Sequence, residues 1–392
     1  MANSLPIWQI PSGVRDVLPE EAWCRRRLEN RLSSLFESWA YQEIIPPSLE
    51  YYEILKDESP EEQLFKIIDR SGRILALRPD LTTPIARMVA THLQGVSLPQ
   101  RLYYFGNVFR YEDVQTGKQR EFRQAGVELI GAAGTGADAE VIILGVEALK
   151  ACGLTDFQVG IGQASLAHGL LQEAGIPKKE MGQVKNLLLR KDYVALQEKL
   201  EKVGLGAGGR RLITNTFSQR GSREILNRVR PLIDSPVLKG AVDNLEEVYE
   251  SLEAAGLAGH VFFDMSILRD FDYYTGIVFE GYALGLGHPV CGGGRYDGLL
   301  GRFGWQVPAT GFALGVERAL AAAGRGKPPA APDCILIGKN IPELFLEAAR
   351  LREKGMVVEI DVGMKSKEEV EKRARRRGIS RVIDAGEVKG HE

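Results

Sequence analysis

Apolar residues recur along the first 150 residues with two different spacings. Residues 19–40 begin with a proline and place apolar side chains every three or four positions, which predicts an amphipathic helix. A second helix is predicted at residues 83–93, where the same spacing returns. Runs rich in β-branched and aromatic residues predict strands at residues 41–49, 74–78, 102–111 and 121–131. The last two strands flank a polar segment and therefore predict a long-tipped hairpin.

The pattern changes in the middle of the chain. After a predicted helix at residues 137–151 and a strand at 157–161, apolar positions between 166 and 256 follow helical spacing with charges between them. We interpret residues 166–256 as a helical insertion. Strand-type sequence then returns at residues 260–265, 276–282 and 289–291, followed by a helix at 315–323.

A linker and a second domain complete the predicted organisation. Residues 324–332 (GRGKPPAAP) have linker composition. Strand and helix patterns alternate after it, with a capping-box signature at Ser366 and Glu369, so residues 333–392 predict a small α/β domain. The sequence thus predicts a core over residues 1–323, a linker and a small domain.

Composition narrows the class of protein. The 50 basic and 52 acidic residues give a formal net charge of −2, which does not indicate nucleic acid as a partner. The four cysteines have no CxxC spacing and the histidines no metal-ligand spacing, so we expect free thiols and no metal. The N-terminus lacks a signal-peptide pattern, and no apolar run approaches the ~18 residues of a membrane span. We therefore expect a cytoplasmic protein.

Polar side chains concentrate on the predicted hairpin. Alternate residues of a strand share a face, so Arg110 and Glu112 are expected on one face of the first strand. Gln124 and Glu128 share a face of the second strand, together with Arg120. Such a face is either solvated or binds a polar ligand, because burying these groups unpaired is costly. Gly126 would clear space for a ligand between Gln124 and Glu128, which favours binding.

Two further segments have chemical character. Residues 268–276 place an arginine, two acids and two tyrosines before a predicted strand. Residues 291–298 (CGGGRYDG) predict a sharp loop, either an ordinary turn or a close approach to a ligand. Gly160-Ile161-Gly162 falls short of the GxGxxG dinucleotide fingerprint and is discounted.

These segments resemble one family. The run FRYEDVQTGKQREFRQAGVELIG is similar to motif 2 of class II aminoacyl-tRNA synthetases in its histidyl version, and GFALGVERAL resembles motif 3. LRDFDYYTGIVFE and CGGGRYDGLL resemble the two histidine-specific signatures of histidyl-tRNA synthetase. The early helix with QEIIPPSLE resembles motif 1, which forms the dimer interface in that family. The resemblance implies an α+β fold: an antiparallel sheet flanked by helices, with a helical insertion and a truncated anticodon-binding-like domain.

The resemblance also implies roles for particular residues. Arg110 would bind a carboxylate or phosphate; Asp80, Thr82 and Gln124 would receive an α-ammonium. Glu128 and Tyr274 would contact an imidazole ring. The implied histidine-binding set is Asp80, Thr82, Arg110, Gln124, Glu128, Arg269, Tyr273 and Tyr274. A remnant of an ATP site would comprise Glu112, Lys118 and Arg318.

The chain departs from the synthetase pattern at four places. Asp113-Val114 replaces the Arg-Pro that usually follows the motif 2 glutamate, and a carboxylate there repels RNA phosphates. Asp270 follows Arg269 where the family has glycine, and Asp80 is a shorter acid than the usual glutamate. The small domain also stops soon after Ile383, before its last expected strand and helix.

With these departures, the chain resembles the regulatory subunits of short-form ATP phosphoribosyltransferase. Those subunits are non-catalytic paralogues of the synthetase. The resemblance implies histidine as an allosteric ligand, no cofactor, a short catalytic subunit as partner, and a homodimer through the motif 1 region within a hetero-oligomer. Neither a membrane nor a nucleic acid is expected as a partner. Two alternatives remain: a histidyl-tRNA synthetase with a reduced anticodon domain, and a ligase that passes an adenylated acid to another acceptor.

Overall fold

The computed structural model describes residues 8–56, 60–112, 119–268, 274–324, 331–363 and 365–386. The chain divides into two compact units, Met1–Gly326 and Lys327–Glu392. Lys118, Arg269, Tyr273 and most of the predicted linker lie outside the described residues.

The first unit contains both helices and strands. Its helices are α1 (Pro19–Ser38), α2 (Tyr52–Leu55), α3 (Thr82–His92), α4 (Thr135–Ala151), α5 (Ala164–Glu173), α6 (Lys178–Leu189), α7 (Tyr193–Lys202), α8 (Ala207–Phe217), α9 (Glu224–Val229), α10 (Pro236–Ala254) and α11 (Val316–Ala323). Its strands are β1 (Gln42–Glu43), β2 (Leu49–Tyr51), β3 (Lys66–Ile68), β4 (Ile74–Leu77), β5 (Gln100–Phe109), β6 (Glu121–Ile130), β7 (Phe157–Gln163), β8 (Arg220–Gly221), β9 (Val261–Asp264), β10 (Ile277–Ala283), β11 (Cys291–Arg295) and β12 (Ala309–Gly315).

Within the described residues, nine strands form one sheet in the order β1-β5-β6-β12-β11-β10-β7-β9-β8. Its centre is antiparallel, and β5 and β6 form the predicted hairpin. Alternation along β6 places Val127 on the face covered by α1 and α4, where Leu32 and Phe36 are fully buried. Burying one such side chain contributes about 1.5–3 kcal/mol, so this face is the main core. The other face of β6 carries Gln124 and Glu128 and is partly covered by α3.

The predicted strand at 41–49 is wrong in extent. The structure has two short strands instead: β1 pairs in parallel with β5, and β2 pairs with β4 in a separate three-stranded sheet of order β2-β4-β3. Pro46 and Pro47 lie between them, and proline lacks the N–H that a continuous ladder needs. The carbonyls of both prolines instead accept hydrogen bonds from buried Arg78 Nη1, at 2.6 and 3.0 Å.

The predicted loop at 291–298 is largely a strand, and β12 was not predicted. β11 is buried throughout and pairs with β10 and β12. A Cβ atom at Gly293 would collide with the carbonyl of Gly311 and the main chain of Phe312. The glycines of β11 therefore allow neighbouring strands to pack closely. Interpreting glycine only as a turn residue led to the wrong prediction of a loop.

The helical insertion comprises α5 to α10, with the short strand β8 between α8 and α9. Their apolar faces join the main core, with Leu188, Leu196 and Val242 fully buried. β8 pairs antiparallel with β9, so the insertion contributes an edge strand to the large sheet.

The second unit has the predicted alternation. It contains β13 (Cys334–Ile337), α12 (Ile341–Glu353), β14 (Val358–Ile360), α13 (Lys367–Arg376) and β15 (Val382–Asp384), with a parallel sheet of order β14-β13-β15. The capping box predicted at Ser366 and Glu369 begins α13. Across the described parts of both units, no helix has the length and apolar character needed to cross a membrane.

Candidate functional site

A small cavity of about 90 Å³ opens on the α3-covered face of the central strands. The start of α3, the strands β6, β11 and β12, and the segment before β10 all contribute to its wall. The structure brings together at this cavity seven of the residues singled out from the sequence: Asp80, Thr82, Arg110, Gln124, Glu128, Tyr274 and Arg318.

Glu128 is the most deeply buried acid of the cavity, with 1% of its surface exposed. Its Oε2 accepts a hydrogen bond from the phenol of Tyr296. Burial raises the pKa of Glu128 to about 8, because desolvation penalises the carboxylate, and the nearby charge of Asp80 adds to the rise. At neutral pH Glu128 is therefore mostly a neutral acid that is able to donate as well as accept.

Two acceptor atoms at the cavity have no hydrogen-bond partner among the described residues. They are Oε1 of Glu128 and Oε1 of Gln124, which lie on the same face of β6. Leaving such an atom buried and unpaired costs about 1–3 kcal/mol. A polar ligand with N–H donors would satisfy both atoms, so the cavity is suited to such a ligand.

The opposite wall is formed where β4 leads into α3. Asp80 Oδ1 accepts the backbone N–H of Thr82 at 2.7 Å, which fixes the carboxylate at the start of the helix. Arg110 Nε donates to the carbonyl of Pro79 at 2.9 Å, and Nη2 of Arg110 lies 3.9 Å from Oδ2 of Asp80. An acid and a guanidinium thus face the same cavity, as recognition of a zwitterion requires.

A second, wider cleft of about 260 Å³ adjoins the cavity and shares Arg110, Phe122 and Arg318 with it. Glu112 lines this cleft, and Arg318 Nη1 donates to the carbonyl of Pro289 at 2.9 Å. Two residues of the predicted ATP-site remnant, Glu112 and Arg318, therefore share a cleft. The third, Lys118, lies outside the described residues, as do Arg269 and Tyr273 of the predicted histidine-binding set.

Two expectations about the hairpin are wrong. Arg120 does not face the cavity with Gln124 and Glu128: it precedes β6, its guanidinium stacks on Tyr111 and it donates to Ser12. Arg120 therefore binds the N-terminal segment and not the cavity.

Gly126 does not clear space for a ligand. A Cβ atom there would collide with the hydroxyl of Tyr104 and the carbonyl of Phe312. The neighbouring strands β5 and β12 occupy that space, which the sequence of one strand cannot show.

Sequence reasoning missed two residues of the site. Tyr296 follows β11 and is the hydrogen-bond partner of Glu128, and Gly311 in β12 faces Glu128 so closely that a Cβ atom would collide with the carboxylate. Tyr296 lies in CGGGRYDGLL, the segment that resembles a histidine-specific signature. That resemblance is the signal that could have identified Tyr296 as a site residue. Gly311 has no local signal, because its role depends on pairing between β12 and β6.

Comparison with known proteins identifies the family. The family model for histidyl-tRNA synthetase matches residues 13–319. An ATP phosphoribosyltransferase regulatory subunit from Moorella thermoacetica is 47% identical over 97% of this chain and 98% of its own length. The chain belongs to the family of ATP phosphoribosyltransferase regulatory subunits, which are related to histidyl-tRNA synthetase. A second regulatory subunit, from Desulforamulus reducens, is 41% identical over 96% of this chain and 95% of its own length.

One solved structure agrees with this placement in the regulatory-subunit family, and a second shares the fold. A protein from Bacillus halodurans, described as an ATP phosphoribosyltransferase regulatory subunit/histidyl-tRNA synthetase, superposes with a TM-score of 0.88 at 35% identity, covering 97% of this chain and 99% of that one. Histidyl-tRNA synthetase from Nostoc has the same fold, with a TM-score of 0.81 at 24% identity and coverage of 96% and 90%. The predicted α+β fold of class II synthetase type is confirmed.

Proposed function

We propose that this chain is the non-catalytic regulatory subunit of a short-form ATP phosphoribosyltransferase and that it binds histidine as a feedback signal in the cytoplasm. The observation that carries the proposal is the buried, largely neutral acid Glu128 in a small cavity, where its own Oε1 and Oε1 of Gln124 have no hydrogen-bond partner among the described residues. The names of the relatives support the regulatory role.

Histidine has groups that match the cavity wall. Its imidazole N–H would meet Glu128, with Tyr274 beside the ring, as the synthetase resemblance implies. Its α-ammonium would lie against Asp80, Thr82 and Gln124, and its carboxylate against Arg110. A buried carboxyl group that pairs with a ring N–H discriminates against amino acids that lack this donor, because it would then remain unsatisfied.

Feedback control follows from linkage. If the catalytic subunit is more active in one conformation of the hetero-oligomer, histidine that prefers the other conformation inhibits by shifting the population. The coupling is reciprocal, so the catalytic subunit must also alter histidine affinity.

We also propose a homodimer through the motif 1 region, which reaches into β2, and through the sheet that β2 forms with β4 and β3. The three-stranded sheet β2-β4-β3 exposes one apolar face, on which Leu49, Tyr51 and Ile67 are each 43% exposed. Its other face packs Ala76 against Leu55. Contiguous apolar surface of this kind is typical of subunit interfaces.

The second candidate is a histidyl-tRNA synthetase with a reduced anticodon-binding domain. The cleft that holds Glu112 and Arg318 beside the cavity favours it, since an adenylating enzyme needs adjacent amino-acid and nucleotide sites. The Bacillus halodurans neighbour carries both names.

Reconstitution distinguishes the two candidates. The purified chain is mixed with the short catalytic subunit encoded by the same genome, and formation of phosphoribosyl-ATP is followed with and without histidine. We expect activity that requires this chain and falls when histidine is added. Absence of activation, together with histidine-dependent ATP–pyrophosphate exchange by this chain alone, would favour the synthetase.

A further inference from the structure

A buried carboxylate, Asp264, lies where the helical insertion contacts residues 264–267. Asp264 ends β9 and is 4% exposed. Its Oδ1 accepts the backbone N–H of Ser266 at 2.9 Å and also the hydroxyl of that serine. Oδ2 faces the insertion, where Lys191 Nζ lies at 3.0 Å and Arg220 Nε at 4.0 Å. The acid thus joins two parts of the first unit.

The segment that follows Asp264 is tightly held. Ile267 is 5% exposed and packs so closely on β7 that a Cβ atom at Gly160 or Gly162 would collide with it. Further along the chain, Tyr274 lines the cavity. Ile267 and Tyr274 belong to the same buried cluster, so we expect the position of residues 265–268 to affect the cavity wall that Tyr274 forms.

Lys191 has a backbone conformation that is unusual for lysine. It follows the C-terminal end of α6 at φ 55°, in the left-handed region where glycine is the usual residue. Several other helices of this chain do end in a left-handed glycine: Gly175, Gly204, Gly256, Gly355 and Gly378. Ala40, which follows α1, adopts the same left-handed conformation at φ 62° without a polar side chain, so the backbone alone assigns no role to Lys191. The role rests on the contact of the Lys191 side chain with Asp264.

Arg220 supports the same contact from a second element. β8 pairs with β9 opposite Asp264, and the backbone N–H of Met265 donates to the carbonyl of Gln219 at 3.1 Å. The Arg220 guanidinium stacks on Phe262 at 4.5 Å, which keeps it near the carboxylate. The insertion therefore contacts the start of the segment through both main chain and charge.

We propose that Lys191, acting through Asp264, is a positioning residue of the ligand cavity, so that the helical insertion sets the affinity for histidine. This inference rests on the proposed function, in which histidine occupies the cavity. Asp264 does not line the cavity; it fixes the turn at residues 264–266, directly before Ile267.

The test uses three variants of the full-length chain. Lys191→Gly suits the left-handed backbone but removes the ammonium group, and Lys191→Arg keeps a cation. Lys199→Met is the matched control, because Lys199 pairs with Glu180 at 2.5 Å inside the insertion. Amide hydrogen exchange of residues 265–268 is measured without ligand, and histidine affinity by calorimetry.

We expect Lys191→Gly to leave the thermal midpoint unchanged or higher while exchange at residues 265–268 accelerates and histidine affinity falls, each by about tenfold. Lys191→Arg and Lys199→Met should behave like the wild type. Wild-type exchange at 265–268 in Lys191→Gly would overturn the inference, as would equal acceleration throughout β5 and β6. If the wild type binds no histidine, the proposed function fails, and the exchange data still decide the role of Lys191.

Discussion

The phenol of Tyr296 donates a hydrogen bond to Oε2 of Glu128, joining two residues that lie 168 positions apart in the chain. β6, β12 and β11 are neighbours in the sheet, and this topology brings the two residues together. The bond orients the carboxyl group, and its other oxygen, Oε1, is buried without a hydrogen-bond partner in the described chain. Tyr296 thus fixes the orientation in which Glu128 would meet a ligand.

Glu128→Gln should weaken histidine binding. The amide keeps the shape and can still bond to Tyr296, but it cannot form a charge-assisted bond to an imidazole N–H, which contributes about 1.5–3 kcal/mol. We expect the dissociation constant measured by calorimetry to rise at least tenfold. Glu280→Gln is the matched control, because Glu280 also accepts a hydrogen bond from a tyrosine, Tyr282, away from the cavity. Equal affinity of the Glu128 variant and the wild type would contradict the assignment of the cavity.

Histidine binding should be tightest between about pH 6.5 and pH 8. Because the pKa of Glu128 is about 8, its carboxyl group is protonated in the free protein below pH 8. The ring of free histidine is neutral above about pH 6.5. The complex shares one proton between carboxyl and ring, so binding within the range transfers none. Above pH 8 binding must take up a proton, and below pH 6.5 it must release one, so affinity falls on both sides.

Calorimetry in buffers of different ionisation enthalpy checks this pH dependence. Proton uptake should appear above pH 8 in the wild type and be smaller in Glu128→Gln, in which only the α-amino group of histidine still takes up a proton on binding. A wild-type affinity that stays constant from pH 7 to pH 8.8 would show that Glu128 is not in the site.

Local patterns predicted the elements but not the contacts between distant strands. The hairpin β5–β6, the helix α4 and the alternation of the second unit follow from spacing alone. The motifs also marked Asp80, Gln124 and Glu128, which do line one cavity. The glycines of β11 and the positions of Gly126 and Gly311 could not be interpreted, because each depends on a neighbouring strand that is remote in sequence.

Gly311→Ala should close the cavity. The added methyl group would collide with the Glu128 carboxylate and with the carbonyl of Val127, and a main-chain carbonyl within a sheet cannot move aside. Overpacking of this kind costs about 1–3 kcal/mol, so we expect a lower thermal midpoint and no measurable histidine binding. Gly298→Ala is the control from the turn after β11, since a Cβ atom there meets nothing within 4 Å. Full binding by Gly311→Ala would show that the carboxylate is not held where the structure places it.

Ile67→Asp should dissociate the proposed homodimer. Ile67 lies on the exposed apolar face of the β2-β4-β3 sheet, and a two-fold interface would bury the new charge twice. Ile68→Asp is the matched control: it lies next along β3, points to the opposite face and is 74% exposed. Light scattering at micromolar concentration should report a dimer for the wild type and for Ile68→Asp, and a monomer for Ile67→Asp. A dimeric Ile67→Asp would mean that the subunits associate through another surface, and a monomeric wild type would exclude the homodimer itself.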